Sequence, residues 1–303
     1  MLAKYEFGVV IPTKNRVDDL IAAVKSVIGQ THKPDEIVII DQSNDDKAKV
    51  SVGDLLKNEG SIKVKYIYNN TIDGLTAAKN LAIKNSDSDI LLFIDDDIIL
   101  QDNFLGVLQN IYYKYPELSG VGGISFLPEE KTSTIRKKVA LFFQLGPFRD
   151  LRAVVQAGYL GNREIVRTWL LSGGLSSLKR EVFENSAFNE ELKGASPIED
   201  MDFYSRASQN FKFALAPAAH ALHNVSPVSR EGLRRVFEAK CEGFIFIFST
   251  YVKKSFLNRM AFIWRSFGMF IDAIVSSVSF KTLDPVRGIF SAWKKYLSTS
   301  GSK

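Results

Sequence analysis

The chain has 303 residues, 46% of them hydrophobic and 24% charged, and a net charge of +5. That balance excludes a disordered or fibrous chain, and the positive excess suits phosphate-bearing ligands or an anionic membrane surface. A single cysteine, Cys241, excludes a disulfide framework and a thiolate metal cluster, so a cytoplasmic setting is expected.

The opening stretch MLAKYEFGVVIPT does not read as a secretory leader, because its apolar run is short and leads into Pro12. Tyr5 to Ile11 is instead a β-rich run, and Val17 to Gln30 sets Leu20, Val24, Val27 and Ile28 at helical spacing. A second strand is predicted over Glu36 to Ile40 and a helix over Lys47 to Asn58. A third pair follows at Ile62 to Tyr68 and Leu75 to Asn85. The fourth strand, Ile90 to Ile94, precedes a helix over Asn103 to Tyr115, and Gly120 to Phe126 reads as a further strand. Such alternation predicts βαβ units, hence an α/β fold with a mostly parallel, Rossmann-like sheet flanked by helices. The pattern loosens over 127–165, a stretch expected to cover the site. It returns at Val166 to Leu171, at Gly173-Gly174 and in a short helix around Arg180 to Asn185. No run of ~18 uncharged apolar residues occurs, so no spanning helix is expected.

Polar residues punctuate this scheme at one recurring place. Pro12, Thr13 and Asn15 follow the first strand, Asp41 follows the second, and Asp95, Asp96 and Asp97 follow the fourth. All lie at the carboxyl ends of parallel strands, the edge where open α/β sheets bind ligands. Three carboxylates beyond a buried strand need a positive partner. A helix cap would account for one aspartate and a solvated surface for a scattered few. The favoured reading is a hard divalent cation held through oxygen ligands, its shell completed by a substrate diphosphate.

Six segments, in order, resemble the family 2 glycosyltransferases of the bacterial surface-polysaccharide type. They are VVIPTKNR (Val9 to Arg16), IIDQSNDD (Ile39 to Asp46), GLTAAKNLAI (Gly74 to Ile83), FIDDD (Phe93 to Asp97), SGGLSSLKREVF (Ser172 to Phe183) and IEDMDFYSRA (Ile198 to Ala207). The resemblance spans about residues 5 to 225 and implies an inverting enzyme of GT-A fold that uses a nucleotide-sugar donor, UDP being the commonest. By that resemblance Pro12, Thr13, Asn15 and Asp41 hold the nucleotide. Asp97 is the main metal contact, for Mn²⁺ or Mg²⁺, with Asp95 and Asp96 beside it or on the sugar nucleotide. A late histidine of the PAAHALH segment is a second metal ligand, and spacing favours His223 over His220. Asp200 is the catalytic base, Glu199 supports it or the acceptor, and Gly173 and Gly174 let the acceptor approach the backbone. Lys79 stands where an arginine is usual and reads either as a cation for the diphosphate or as a solvated helix lysine.

The domain reading is a glycosyltransferase domain over 1–230, with a nucleotide-sugar half at 1–126 and an acceptor half at 127–230, followed by a helical appendage over 231–303. Within the appendage, Asn258, Arg265, Asp272 and Ser276 fall on one helical line and leave a broad apolar remainder. Residues 241–295 read either as a peripheral membrane contact at the inner face of the cell membrane or as helices packed on the catalytic domain or on a second copy in a homodimer. The acceptor expected is a saccharide or a polyprenyl-linked saccharide. A sugar-phosphate nucleotidyltransferase is the rival enzyme, but IPTKNRVDD lacks the Gly-rich basic loop that class needs. A non-catalytic partner of the same fold would be expected to have lost Asp97 or Asp200, and both are present. Scattered basic residues without a groove-reading motif argue against nucleic acid as a partner.

Overall fold

The computed structural model describes residues 5–57, 59–72, 74–127, 134–160, 163–192, 198–224 and 232–300. In chain order the elements are β1 (Phe7–Thr13), α1 (Val17–Ile28), β2 (Glu36–Asp41), α2 (Lys47–Leu56), β3 (Lys63–Tyr68), α3 (Leu75–Asn85), β4 (Ile90–Ile94), β5 (Ile98–Leu100), α4 (Phe104–Lys114), β6 (Gly120–Phe126), α5 (Thr134–Phe142), α6 (Leu151–Gln156), β7 (Val166–Thr168), β8 (Leu175–Lys179), α7 (Glu181–Asn185), α8 (Glu199–Ala207), β9 (Phe213–His223), α9 (Leu233–Thr250), α10 (Phe256–Phe280) and α11 (Asp284–Ser300). They fall into two compact units, one of residues 1–130 and 158–228, the other of residues 131–157 and 229–303.

The first unit is built on one sheet of nine strands among the described residues, in the order β3-β2-β1-β4-β8-β6-β9-β5, with β7 paired to β9. β1, β2 and β4 are rich in Val, Ile and Leu because both faces are covered, and every residue of all three is buried. α1 lays Leu20, Val24 and Val27 on that core. The parallel pairs expected from the alternation are present, β1 with β2 and β4, and β2 with β3. The second half of the sheet is mixed rather than mostly parallel. β8 runs antiparallel to β4 and β6, and β9 runs parallel to β6 but antiparallel to β5 and β7.

β9 contains Pro217, which cannot donate to a sheet ladder. Its pairing with β6 accordingly jumps from Gly122↔Leu215 to Ile124↔His220, so one residue of β6 faces four of β9. That bulge redirects the end of β9 onto β5, where Ile98 pairs with His223.

The second unit consists of helices. Phe262 of α10 stacks between Phe244 and Phe248 of α9, with ring centroids 4.7 and 3.9 Å away. Gly288 lets α11 approach the Arg234 backbone of α9, a space that any Cβ would fill. α10 starts at the Ser255 cap and stops at Lys281, whose backbone is left-handed (φ 52°). Its most apolar stretch has a mean hydropathy of 1.3, so by length and composition α10 could cross a membrane. The sequence reading expected no such helix, because Arg265 and Asp272 interrupt the apolar run.

Candidate active site

The acidic triplet sits where β4 meets the start of β8. Ile94 pairs with Leu175, which brings Asp95 against Gly174, and the Asp95 amide donates to the Gly174 carbonyl at 3.1 Å. A Cβ on Gly174 would overlap the Asp95 carboxyl, so only glycine fits there. Burial raises the Asp95 carboxyl above the ordinary range, with the Lys79 charge the first to oppose it. Asp96 accepts from the Thr13 hydroxyl at 2.8 Å and from the Arg16 guanidinium at 3.0 Å. Burial still pushes it up to about 6. Asp97 lies 3.8 Å from the same guanidinium and 3.3 Å from Nε2 of His223.

Part of the positive partner demanded by the triplet is therefore Arg16, to which the sequence reading gave no role. Burial works against its charge, yet Asp96 and Asp97 hold its pKa above the ordinary value. The available signal was its position just past β1, on the strand edge that already carried Thr13 and Asn15. Asn15 adopts a left-handed backbone (φ 58°), a conformation asparagine tolerates. Its amide donates to Ser43 Oγ at 2.8 Å, and its Oδ1 accepts from the Asn44 amide at 2.9 Å. The loop after β1 is thereby tied to the loop after β2. Pro12 is buried on the last turn of β1, opposite Ile40.

His223 reaches Asp97 because the bulge delivers it there, and the Asn224 amide fastens the corner by donating to the Asp97 carbonyl at 2.8 Å. His220 packs edge-on against Phe126, ring centroids 5.2 Å apart. Among the described residues no three or more His, Cys, Asp or Glu side chains are arranged to hold a metal ion. One carboxylate and one imidazole nonetheless fit Mn²⁺ or Mg²⁺, hard cations that commonly take one or two protein ligands and complete the shell with phosphate oxygens and water.

The second cluster lies at the start of α8. Glu199, Asp200 and Asp202 occupy its first turn, where the helix dipole favours carboxylates. Tyr204 donates from its hydroxyl to Ser176 Oγ at 2.7 Å and so fixes α8 on β8. Asp200 is half-buried and accepts from the Met201 amide at 2.7 Å. Lys79 is fully buried, which differs from the reading of it as a solvated helix lysine. Its ammonium donates to Glu199 Oε1 at 2.7 Å and to the Gly173 carbonyl at 3.0 Å, with Phe188 under it at 5.0 Å. A side chain on Gly173 would collide with Glu199 and Lys79, so this glycine makes room for the ion pair. The rest of α3 fastens the same region: Thr76 donates to the Leu192 carbonyl, and Asn80 exchanges bonds with Phe188 and reaches Glu190. Sequence reasoning gave Thr76 and Asn80 no role, since clasps between distant segments leave no local pattern.

Asp41 is also buried at the end of β2. One oxygen accepts from the Ser43 amide at 2.8 Å and the other from the Tyr66 hydroxyl at 2.5 Å. The expected carboxylate for a base N–H is thus engaged inside the protein, where it shapes the loop after β2. Burial, reinforced by Asp41, holds the Tyr66 phenol well above its ordinary pKa.

Set against known proteins, residues 8–185 match the family model described as glycosyl transferase family 2. The chain belongs to that family. It is 26% identical over 205 residues to the GalNAc(5)-diNAcBac-PP-undecaprenol beta-1,3-glucosyltransferase of Campylobacter jejuni, an alignment covering 67% of this chain and 61% of that one. It is 26% identical over 234 residues to the O-antigen chain rhamnosyltransferase RfbN of Salmonella typhimurium, covering 76% and 69%. An uncharacterised glycosyltransferase of Rickettsia conorii is 37% identical over 98 residues, yet the match spans only 16% of that protein. Among solved structures, mannosyltransferase PcManGT of Pyrobaculum calidifontis, in complex with GDP-Man and Mn²⁺, superposes with a TM-score of 0.63 at 13% identity, covering 99% of this chain and 80% of that one. S. aureus TarS 1-349 with UDP-GlcNAc gives 0.61 at 15% identity, covering 95% and 79%. These likenesses establish for this family 2 chain a glycosyltransferase fold of GT-A type with a C-terminal helical region.

Proposed function

We propose that the chain is an inverting glycosyltransferase that moves a hexose-type sugar from a nucleotide-diphosphate donor, UDP in the first instance, to a saccharide or polyprenyl-linked saccharide acceptor. The observation that carries this reading is the convergence of Asp97 and His223, 3.3 Å apart on one strand edge, beside the Asp95–Gly174 contact. In this reading the loops holding Thr13, Asn15 and Asp41 bind the nucleotide, and Asp95 and Asp96 line its sugar-diphosphate. Asp97 and His223 would hold a Mn²⁺ or Mg²⁺ ion, a Lewis acid whose charge offsets that of a leaving diphosphate. Asp200 removes the proton from the acceptor hydroxyl as its oxygen bonds to the anomeric carbon. The bond from that carbon to the diphosphate oxygen breaks on the opposite face, and the nucleoside diphosphate leaves with the electron pair. Only one carboxylate is needed as base, which leaves Glu199 to hold the turn through Lys79. The undecaprenol-linked substrate in the Campylobacter enzyme's name supports a lipid-linked acceptor. With it goes a place at the inner face of the cell membrane, contacted through residues 241–295.

Replacing Asp97 with alanine tests this reading. Transfer and donor hydrolysis are expected to fall by about 10²–10³, with the melting temperature little changed. Activity within a few-fold of the parent would remove Asp97 from the donor site.

A further inference from the structure

α10 is built inside out. A helix on a water-soluble domain normally turns its apolar stripe to the core and its polar residues to solvent. Here Asn258, Arg265, Asp272 and Ser276, the polar line of the helix, share the side that packs into the second unit. Ser276 is buried there with Ala261, Phe262, Met269 and Ala273, and Arg265 senses the charges of Asp150 and Asp272. The opposite side carries Phe256, Met260, Ile263, Phe267, Ile274 and Val278, each three, four or seven residues from the next and therefore on one line. All six are exposed, Phe256 and Val278 at 75%. This line runs for about 33 Å at the helical rise, and no charged residue lies on it.

Charge marks both ends. Lys253, Lys254 and Arg259 are exposed around the start of α10, and Lys281 and Arg287 just after its end. Residues 232–300 contain eleven Lys and Arg against four Asp and Glu, a net +7, while the whole chain carries +5. The rest of the chain is thus slightly acidic as a whole.

We infer that the exposed line of α10 lies flat in the headgroup layer of an anionic lipid bilayer, with its apolar side chains below the phosphates and the flanking lysines and arginines among them. An apolar face alone would fit a second copy of the chain equally well. Two like-charged rims brought together would repel, whereas an anionic bilayer attracts both. This deepens the membrane contact proposed above and is independent of the catalytic assignments.

The test is flotation of the full chain with phosphatidylcholine vesicles containing one quarter phosphatidylglycerol, alongside the variant Ile263→Glu/Phe267→Glu. Both substituted positions are more than half exposed, so circular dichroism should show the fold intact. The parent is expected to float with anionic vesicles, at least tenfold less with pure phosphatidylcholine, and the variant at least tenfold less with either. A variant that floats like the parent, or a parent that stays with the soluble fraction, overturns the inference. So does a stable dimer that the variant dissociates, which would make the face a copy–copy contact. Donor hydrolysis measured on the same samples separates the outcomes: its absence in the parent would tell against the glycosyltransferase reading and leave the vesicle result standing.

Discussion

Asp200→Asn is expected to lower glycosyl transfer by about 10³-fold, within the 10²–10⁴ that a positioned base contributes, while leaving donor binding and thermal stability near those of the parent. Asparagine keeps the shape of the side chain, and its carbonyl oxygen can still accept from the Met201 amide, as Asp200 does at 2.7 Å. What it cannot do is take a proton from the acceptor hydroxyl. Loss of turnover with intact fold and intact donor affinity therefore isolates the base role. Steady-state transfer, measured beside donor titration on the same preparation, decides it. Turnover within about tenfold of the parent would move the base role to another residue.

Lys79→Met should act on the fold before it acts on the chemistry. Lys79 and Glu199 form an ion pair whose side chains are 1% and 6% exposed. Removing one member of such a buried pair commonly destabilises by about 3–5 kcal/mol, because the other charge is left in a medium that solvates it poorly. The melting temperature should fall by about 10 °C, and the turnover number should fall as well, because Glu199 and Asp200 share the first turn of α8. Donor affinity should change little, since the ammonium is already engaged by Glu199 and the Gly173 carbonyl. Pairing the change with Glu199→Met should restore most of the stability, as apolar pairs of similar volume often do, without restoring transfer. If Lys79→Met melts with the parent but binds donor poorly, Lys79 is a diphosphate contact, as one sequence reading had it.

Particular residues show what could be read from the chain and what could not. The parallel half of the sheet was legible because β1, β2 and β4 are unbroken apolar runs that end in polar residues, and periodicity places such runs well. Asp95, Asp96 and Asp97 announced themselves by interrupting one of them. Spacing also favoured His223, although the reason it arrives beside Asp97 is the bulge at Pro217, whose register no local pattern specifies. β5 and β8 went unpredicted, being three and five residues long and set among turn-forming neighbours. Thr76, Asn80 and the buried state of Lys79 were invisible for a related reason. Each depends on a partner far away in the chain, and a helix lysine that meets Glu199 has the same local sequence as one in water. Asp41 illustrates the converse. Its place on the edge was read correctly, while its engagement by Tyr66 and Ser43 depends on how β3 and the following loop pack.

Calorimetric titration with a UDP-sugar, carried out first with Mn²⁺ and then with EDTA, tests most directly whether Asp97 and His223 form a metal-assisted diphosphate site. Binding at least about tenfold tighter with the metal, and a loss of that difference in Asp97→Ala, is the expected result. Equal affinity with and without Mn²⁺ in the parent chain would contradict the account.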